Sequence, residues 1–313
     1  MFQIFERKQI CMVAICLATT LLSNALFGDE TLRTVTLTGM PAPGISPDTL
    51  FTRGFRNPVI NNQGQVSIHA FIEGPEINTN NNNGIWSEGG GSGLELIAQI
   101  GDVAPSTNGA SFDRLGTPLL DNQGNVFFAG GITGSKVAVI NDTGIWKKDA
   151  ETNELKLLAH ENARAPGGEG SLFSNLGDNL TINSLGQLAF HGTLRGQNVT
   201  SSNDGAIWAQ DLNGQLQLIA REGSQLDVSD DPAISDIRTI QTLSFTTGSN
   251  NNDGRQSAFN DLGQLAYTAS FTDGSQGVFV SNLVAIPEPS SLAICSIAAA
   301  FPFVTRQVTR QAI

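Results

Sequence analysis

The sequence predicts an all-β protein made of four copies of one unit, arranged as a four-bladed β-propeller-like ring closed by an N-terminal strand. An open β-repeat array is the alternative. Three observations carry this reading. An Asx-x-x-Gly turn feeding an apolar strand recurs four times, at 61–68, 121–128, 183–190 and 260–267. A second turn leading into Ile-Trp recurs three times at one spacing: Gly64 to Trp86, Gly124 to Trp146 and Gly186 to Trp208 are each 22 residues apart. Away from the two ends, no long segment has a helical period.

The opening turns are Asn61–Gly64, Asp121–Gly124, Asn183–Gly186 and Asn260–Gly263. An Asn or Asp side chain at the first position accepts a hydrogen bond from a backbone N–H two residues on. Gly at the fourth position takes positive φ without a Cβ clash. The second and fourth residues after that Gly are apolar in every copy: Val66/Ile68, Val126/Phe128, Leu188/Phe190 and Leu265/Tyr267. The residues between them, Ser67, Phe127, Ala189 and Ala266, are small or apolar. A strand of this kind on both faces lies between layers. The Ile-Trp strand follows at Ile85-Trp86, Ile145-Trp146 and Ile207-Trp208, with Val278-Phe279 in the fourth copy. A third strand type comes next, at Leu94–Ala98, Leu155–Ala159 and Leu216–Ala220. About four strands in about 60 residues is the density of an all-β repeat.

The fourth unit reaches Pro287 without its third strand type. Leu32–Thr36 resembles that strand, and Leu32 to Leu94, Gly39 to Gly101 and Pro43 to Pro105 are each 62 residues. The expectation is that Leu32–Thr38 completes the fourth sheet and closes the ring, which removes exposed edges. The fourth unit also holds an insertion, Ser224–Asp253, rich in Asp and Asn. Long loops on a rigid scaffold are where function tends to sit.

Three segments are expected: a signal peptide at 1–25, a β-repeat domain at 31–283 and a sorting tail at 284–313. Arg7 and Lys8, the apolar run Ile10–Leu22 and Ser23-Asn24-Ala25 read as a secretory signal with a small-x-small cleavage site. All three cysteines, Cys11, Cys16 and Cys295, fall in the end segments, so the mature domain holds no disulfide, thiol nucleophile or thiolate metal site. At the other end, Pro287-Glu288-Pro289 precedes the apolar run Leu292–Val304, then Arg306 and Arg310. This resembles the PEP-CTERM sorting tail of exopolysaccharide-producing Gram-negative bacteria. The resemblance implies an exosortase-type membrane protease as partner, and a cell-surface or extracellular destination in a Gram-negative type envelope. The run is short and contains Pro302, so a cleaved tail and a retained membrane contact both stay open.

The repeats resemble the NxxGxxAF tandem-repeat proteins, whose members end in different sorting anchors. Asn183, Gly186, Ala189 and Phe190 match fully, and Asn260, Gly263 and Ala266 match with Tyr267 in place of Phe. Asn61 and Gly64 match with Ser67-Ile68 after them, and Asp121 and Gly124 match loosely. The resemblance implies an exported, surface-associated repeat protein and brings no catalytic residues.

A formal net charge of −12, with 17 Lys and Arg scattered singly, argues against nucleic acid as a partner, since phosphate needs clustered cations. His69 and His191 share one repeat position, yet no carboxylate shares their register, so packing accounts for them better than a metal; His160 has no evident partner. The Asp/Asn loops at Asp227–Asp236 and Asn250–Gly254 offer the oxygen ligands calcium favours, but turn chemistry explains most of them. No cofactor is expected. Trp86, Trp146 and Trp208 read as packing residues rather than a sugar-stacking platform. No Ser/His/Asp arrangement, P-loop or dinucleotide glycine pattern occurs. The expectation is a non-enzymatic exported protein that binds extracellular polysaccharide or surface proteins. The alternative is a secreted carbohydrate-active enzyme using acidic loop residues, which clustered carboxylates in one pocket would favour.

Overall fold

The computed structural model describes residues 33–229, 231, 233–250 and 257–284. The signal segment, the sorting motif Pro287-Glu288-Pro289 and the Asn251–Gly254 part of the second acidic loop lie outside the described residues. The chain divides into two compact bodies, Met1–Met40 and Pro41–Ile313. In the first, the described residues 33–40 are irregular chain with one turn, Met40 N–H to Leu37 O.

The described residues of the second body are all β, in four sheets. Sheet 1 holds β1 (Leu50–Phe51), β2 (Arg56–Ile60), β3 (Val66–Glu73), β4 (Asn83–Ser87) and β5 (Glu95–Gln99). Sheet 2 holds β6 (Ser111–Leu115), β7 (Leu119–Leu120), β8 (Val126–Thr133), β9 (Thr143–Lys148) and β10 (Leu155–His160). Sheet 3 holds β11 (Leu172–Asn175), β12 (Leu180–Asn183), β13 (Leu188–Arg195), β14 (Gly205–Gln210) and β15 (Leu216–Arg221). Sheet 4 is built from β16 (Gln225–Asp227), β17 (Ile237–Ser244), β19 (Leu265–Phe271) and β20 (Gln276–Ser281). The remaining strand, β18 (Gly248–Asn250), leaves its own unit and pairs in parallel with β12 of sheet 3.

One register repeats through the sheets. Ile68 lies opposite Trp86 and Trp86 opposite Leu96; Phe128, Trp146 and Leu157 repeat this, as do Phe190, Trp208 and Leu218. Side chains alternate along a strand, so Ile85, Ile145 and Ile207 face the other way. Each packs into the core shared with the next sheet: Ile85 with Trp146, Ile145 with Trp208, Ile207 with Tyr267. The third strand carries a bulge at the same place each time, which explains its Leu-x-Leu-apolar-Ala pattern. Pairing jumps from Leu96 to Ala98, Leu157 to Ala159 and Leu218 to Ala220. The extra residue, Ile97, Leu158 or Ile219, packs against the core shared with the following sheet.

The closing strand expected at Leu32–Thr38 is not formed among the described residues. Arg33–Leu37 has no strand, Leu32 is outside the described range, and β20 has β19 as its sole strand partner. Sheet 4 reaches four strands differently: the insertion supplies the β16–β17 hairpin on the opposite side of β19. The array of the second body is therefore the open form, with one core cluster between each successive pair of sheets and a fourth on the outer side of sheet 1.

Candidate functional site

The four opening turns adopt the chemistry expected of them. Asn61 Oδ1 accepts the N–H of Gln63 and of Gln65, each at 3.0 Å. Asp121, Asn183 and Asn260 do the same two and four residues on. Gly64, Gly124, Gly186 and Gly263 all have φ between 73° and 86°. These residues join neighbouring units to one another. Asn61 Nδ2 donates to Asp121 O (2.8 Å) and Asn183 Nδ2 to Asn260 O (3.0 Å). Asn62 N–H donates to Asn122 Oδ1, and Ser184 N–H to Asp261 Oδ1, both at 2.9 Å. At the middle step the amide donor is missing, because position 121 is Asp. There the turns approach so closely that a Cβ on Gly186 would lie 2.5 Å from Asp121 Oδ2. The one hydrogen bond between these two turns runs from Gln123 Nε2 to Leu185 O at 3.5 Å.

A partner missed in the sequence completes each turn. The residue after the turn Gly is Gln65, Asn125, Gln187 or Gln264. In three copies its side-chain oxygen accepts the turn Asn amide; in the second the sense reverses, and Asn125 Nδ2 donates to Asp121 Oδ2 at 2.7 Å. An amide side chain immediately after each turn Gly was the available signal. Asp121 is fully buried, and burial raises its carboxyl above the ordinary 3.8, against the lowering effect of its hydrogen bonds and of Lys147.

Two clefts among the described residues lie elsewhere, where the β3–β4 loop of unit one and the β13–β14 loop of unit three meet the chain leaving β5 and β15. In unit one a cleft of about 340 Å³ is lined by Ile45, Glu76, Asn78, Asn81, Gln99 and Asp102. In unit three a cleft of about 390 Å³ is lined by Glu169, Asn198, Asn203, Arg221, Glu222 and Ser224. Each loop is clamped by an Asn. Asn81 Oδ1 accepts Asn78 N–H while its Nδ2 donates to Glu76 O; Asn203 does the same with Thr200 and Asn198. Asn141 clamps the unit-two loop likewise, through Ala138 and Lys136. The clamp's own carbonyl then holds the floor of the cleft: Gln99 Nε2 donates to Asn81 O at 2.6 Å, and Arg221 Nε to Asn203 O at 2.9 Å. The clefts are thus equivalent in construction and different in charge.

Glu222 is the best-defined acid here. Burial pushes its carboxyl up, a hydrogen bond from Gly205 N–H lowers it, and Asp204 beside it raises it further. The unit-two counterpart, Glu161, is buried and accepts Asp142 N–H (3.0 Å) and Thr143 N–H (3.2 Å); burial and the Asp142 carboxyl raise its pKa. Glu169 stands at the unit-three cleft with φ of 54°, a left-handed conformation uncommon for Glu.

The remaining sequence candidates sit in the framework. Trp86, Trp146 and Trp208 are fully buried, each edge-on to Phe51, Phe112 or Phe173. His69 shares a face with Ile85 and bonds Asn83 Oδ1 at 3.0 Å; His191 shares a face with Ile207, and its Nε2 has no partner. Burial lowers both pKa values. They belong to different sheet–sheet contacts, and among the described residues no three His, Cys, Asp or Glu gather as a metal site. In the insertion, Asp227 accepts Ser229 N–H, Asp236 N–H and Ser235 Oγ, while Asp236 pairs with Arg238 at 2.6 Å. These carboxylates are committed to closing their own loop.

No curated protein matches the chain. Among solved structures, an exo-β-1,3-galactanase from Phanerochaete chrysosporium, crystallised with β-1,3-galactotriose, aligns with 58% of this chain at 11% identity and a TM-score of 0.27. The match spans 38% of that enzyme, and so low a score carries no argument about fold or activity. One family model, described as a family of unknown function (DUF7453), matches residues 21–128 and again residues 94–293. A double match of one model with an overlap is what a chain of internal repeats produces. The longer match alone covers more than half of the sequence, and the chain belongs to this family.

Proposed function

We propose that this is an exported, surface-associated protein that binds hydroxyl-rich polymers, extracellular polysaccharide above all, through the paired clefts of units one and three, without catalysing a reaction. The observation that carries the reading is the shared construction of the two clefts. Amide side chains line both, joined in unit three by the hydroxyls of Ser171 and Ser224, and an Asn clamp in each fixes the floor residue, Gln99 or Arg221. Two such sites on one chain turn individually weak binding into avidity for a repeating polymer. The terminal segments support the location: the apolar leader ending in Ser23-Asn24-Ala25, and Pro287-Glu288-Pro289 before an apolar run as the substrate of an exosortase-type protease.

A polysaccharide array with the purified protein tests the binding, alongside Asn81→Ala and Asn203→Ala variants that release the clamps. The expected result is binding to at least one polymer, weakened by either substitution; no binding to any polymer refutes it. Unchanged protein size in a strain lacking the sorting protease would sink the export route. The enzyme reading keeps one specific support, the presence of Glu169 and Glu222 in a single cleft. Release of reducing ends, abolished in both Glu169→Gln and Glu222→Gln, would establish it.

A further inference from the structure

We propose that the two open ends of the four-sheet stack are complementary halves of one more sheet–sheet contact, and that a second copy of this chain fills it, with sheet 4 of one copy docking on sheet 1 of the next. The internal contacts define what each end lacks. Ile85, Ile145 and Ile207 are fully buried against the following sheet, whereas Val278, in the same register on β20, is 77% exposed. Its neighbours on that face follow suit. Ser67, Phe127 and Ala189 are fully buried, but Ala266 is half-buried; Val280 is 57% exposed. At the other end, Leu120 and Ile182, the residues before the second and third turns, are fully buried against the preceding sheet, and Ile60 is 44% exposed. Val126, Leu188 and Leu265 are buried where Val66 is half-buried.

The turns carry the same mismatch. Each internal step that has its Asn runs one way, with side-chain amide and backbone N–H of the earlier turn donating to the later one. The last turn therefore ends in donors, Asn260 Nδ2 and Asp261 N–H. The first begins with acceptors, Asn61 O and Asn62 Oδ1. Two last sheets face to face would set donors against donors. A last sheet on a first sheet reproduces both the polarity and the apolar register of the internal contacts. Such a head-to-tail contact is heterologous, so it propagates into an open series unless it closes into a ring. No charged side chain stands on the β19–β20 face made by Ala266, Thr268, Ser270, Val278 and Val280 to oppose docking.

Sedimentation velocity of the full-length protein over a concentration series tests the proposal, with Val278→Asp blocking one end and Ile60→Asp the other. Wild type is expected to form a concentration-dependent series beyond the dimer. Each variant alone should associate at least about tenfold more weakly, because docking would bury an unpaired carboxylate. Mixing the two should restore a dimer and stop there, since each variant retains the end the other has lost. Circular dichroism melting checks that both variants fold; Ile60→Gln replaces Ile60→Asp if the latter does not. A monomer at every concentration overturns the proposal. So does a mixture that gives no dimer. If wild type is monomeric and the two substitutions are strongly non-additive in stability, the ends meet within one molecule, which also overturns it.

Discussion

Asp121 is the one of the four opening-turn residues that is not Asn, and the break it makes in the turn ladder can be repaired. Asn61 and Asn183 each send an amide to the next turn's carbonyl, and a carboxylate at 121 has no proton to send. Replacing Asp121 alone is insufficient. Asn125 Nδ2 now points at Asp121 Oδ2, and Asn125 Oδ1 accepts Ala150 N–H at 2.9 Å. Asp121→Asn would set two amide donors face to face or make Asn125 turn round and abandon Ala150. Adding Asn125→Gln supplies the Asn–Gln pair found in units one, three and four. The double variant gains one buried inter-turn hydrogen bond, about 1 kcal/mol, and removes a buried carboxylate, against the loss of the Asn125 bond to Ala150 N–H. The single variants do not, so the pair should couple favourably by about 1 kcal/mol in a double-mutant cycle.

Urea denaturation of the four proteins measures this coupling. The pH dependence supplies an independent check. The folded carboxyl of Asp121 is raised above 3.8, so below the unfolded value the proton is bound in both states and Asp121 imposes no cost. The cost grows as pH rises through the folded value and is complete above it. The double variant's advantage over wild type should therefore widen from about pH 4 towards neutrality. Additivity within about 0.3 kcal/mol, or an advantage independent of pH, would refute the reasoning.

Three further outcomes are expected. Ser106 has φ of 64° where the equivalent turns have Gly44 and Gly167, and Trp146 Nε1 lacks the bond that Trp86 and Trp208 make to Pro43 O and Pro166 O. Ser106→Gly should therefore stabilise by about 1 kcal/mol, read as a rise in melting temperature. The Asp149 carboxyl is held at about 2, chiefly by Thr152 N–H and also by Lys147. Asp149→Asn should cost about 1 kcal/mol at neutral pH. The wild-type advantage is present above the unfolded value of 3.8 and vanishes as pH falls through about 2, measured by acid titration of both proteins. Arg221→Gln copies Gln99 of unit one and keeps a donor for Asn203 O. Stability should change by less than about 0.5 kcal/mol while the polysaccharide profile of that cleft shifts, read on the same array.

The parts of this structure legible in the sequence are those governed by backbone geometry. Asn or Asp followed three residues later by Gly dictates a turn, the alternation after it dictates two buried faces, and the fixed repeat position of Trp86, Trp146 and Trp208 beside Ile marks them as core. The bulge at Ile97, Leu158 and Ile219 was visible as an irregular pattern but not interpretable, because its cause is the neighbouring sheet. The closing strand was inferred from a 62-residue offset, and Arg33–Leu37 shows why offset alone is weak: strand formation needs a pairing partner as well as a suitable pattern. The clefts left one signal in the sequence, an Asn 17 residues after each of the first three turn glycines, at Asn81, Asn141 and Asn203. Their loops otherwise differ in composition; the clamp's two bonds are local, three and five residues back, whereas the cleft needs the chain after β5 or β15 folded beside it.

The unevenness of the turn ladder sets the mechanics of the array. Units one and two are pinned by three directed bonds, with Gln63 Nε2 to Asn122 O as the third, and units three and four by two. Between units two and three the two turns share one bond at 3.5 Å; the core containing Ile145, Leu180, Phe190 and Trp208 spans the boundary, and the chain leaving sheet 2 bonds β11 through Asn162 N–H to Phe173 O and Phe173 N–H to Ala163 O. Apolar packing resists separation but has little preference for one lateral offset over another, whereas hydrogen bonds do. The middle boundary is therefore where the turn ladder is weakest. The two clefts lie on opposite sides of it, in units one and three, so any displacement at that boundary would alter their separation and leave each cleft's own walls intact.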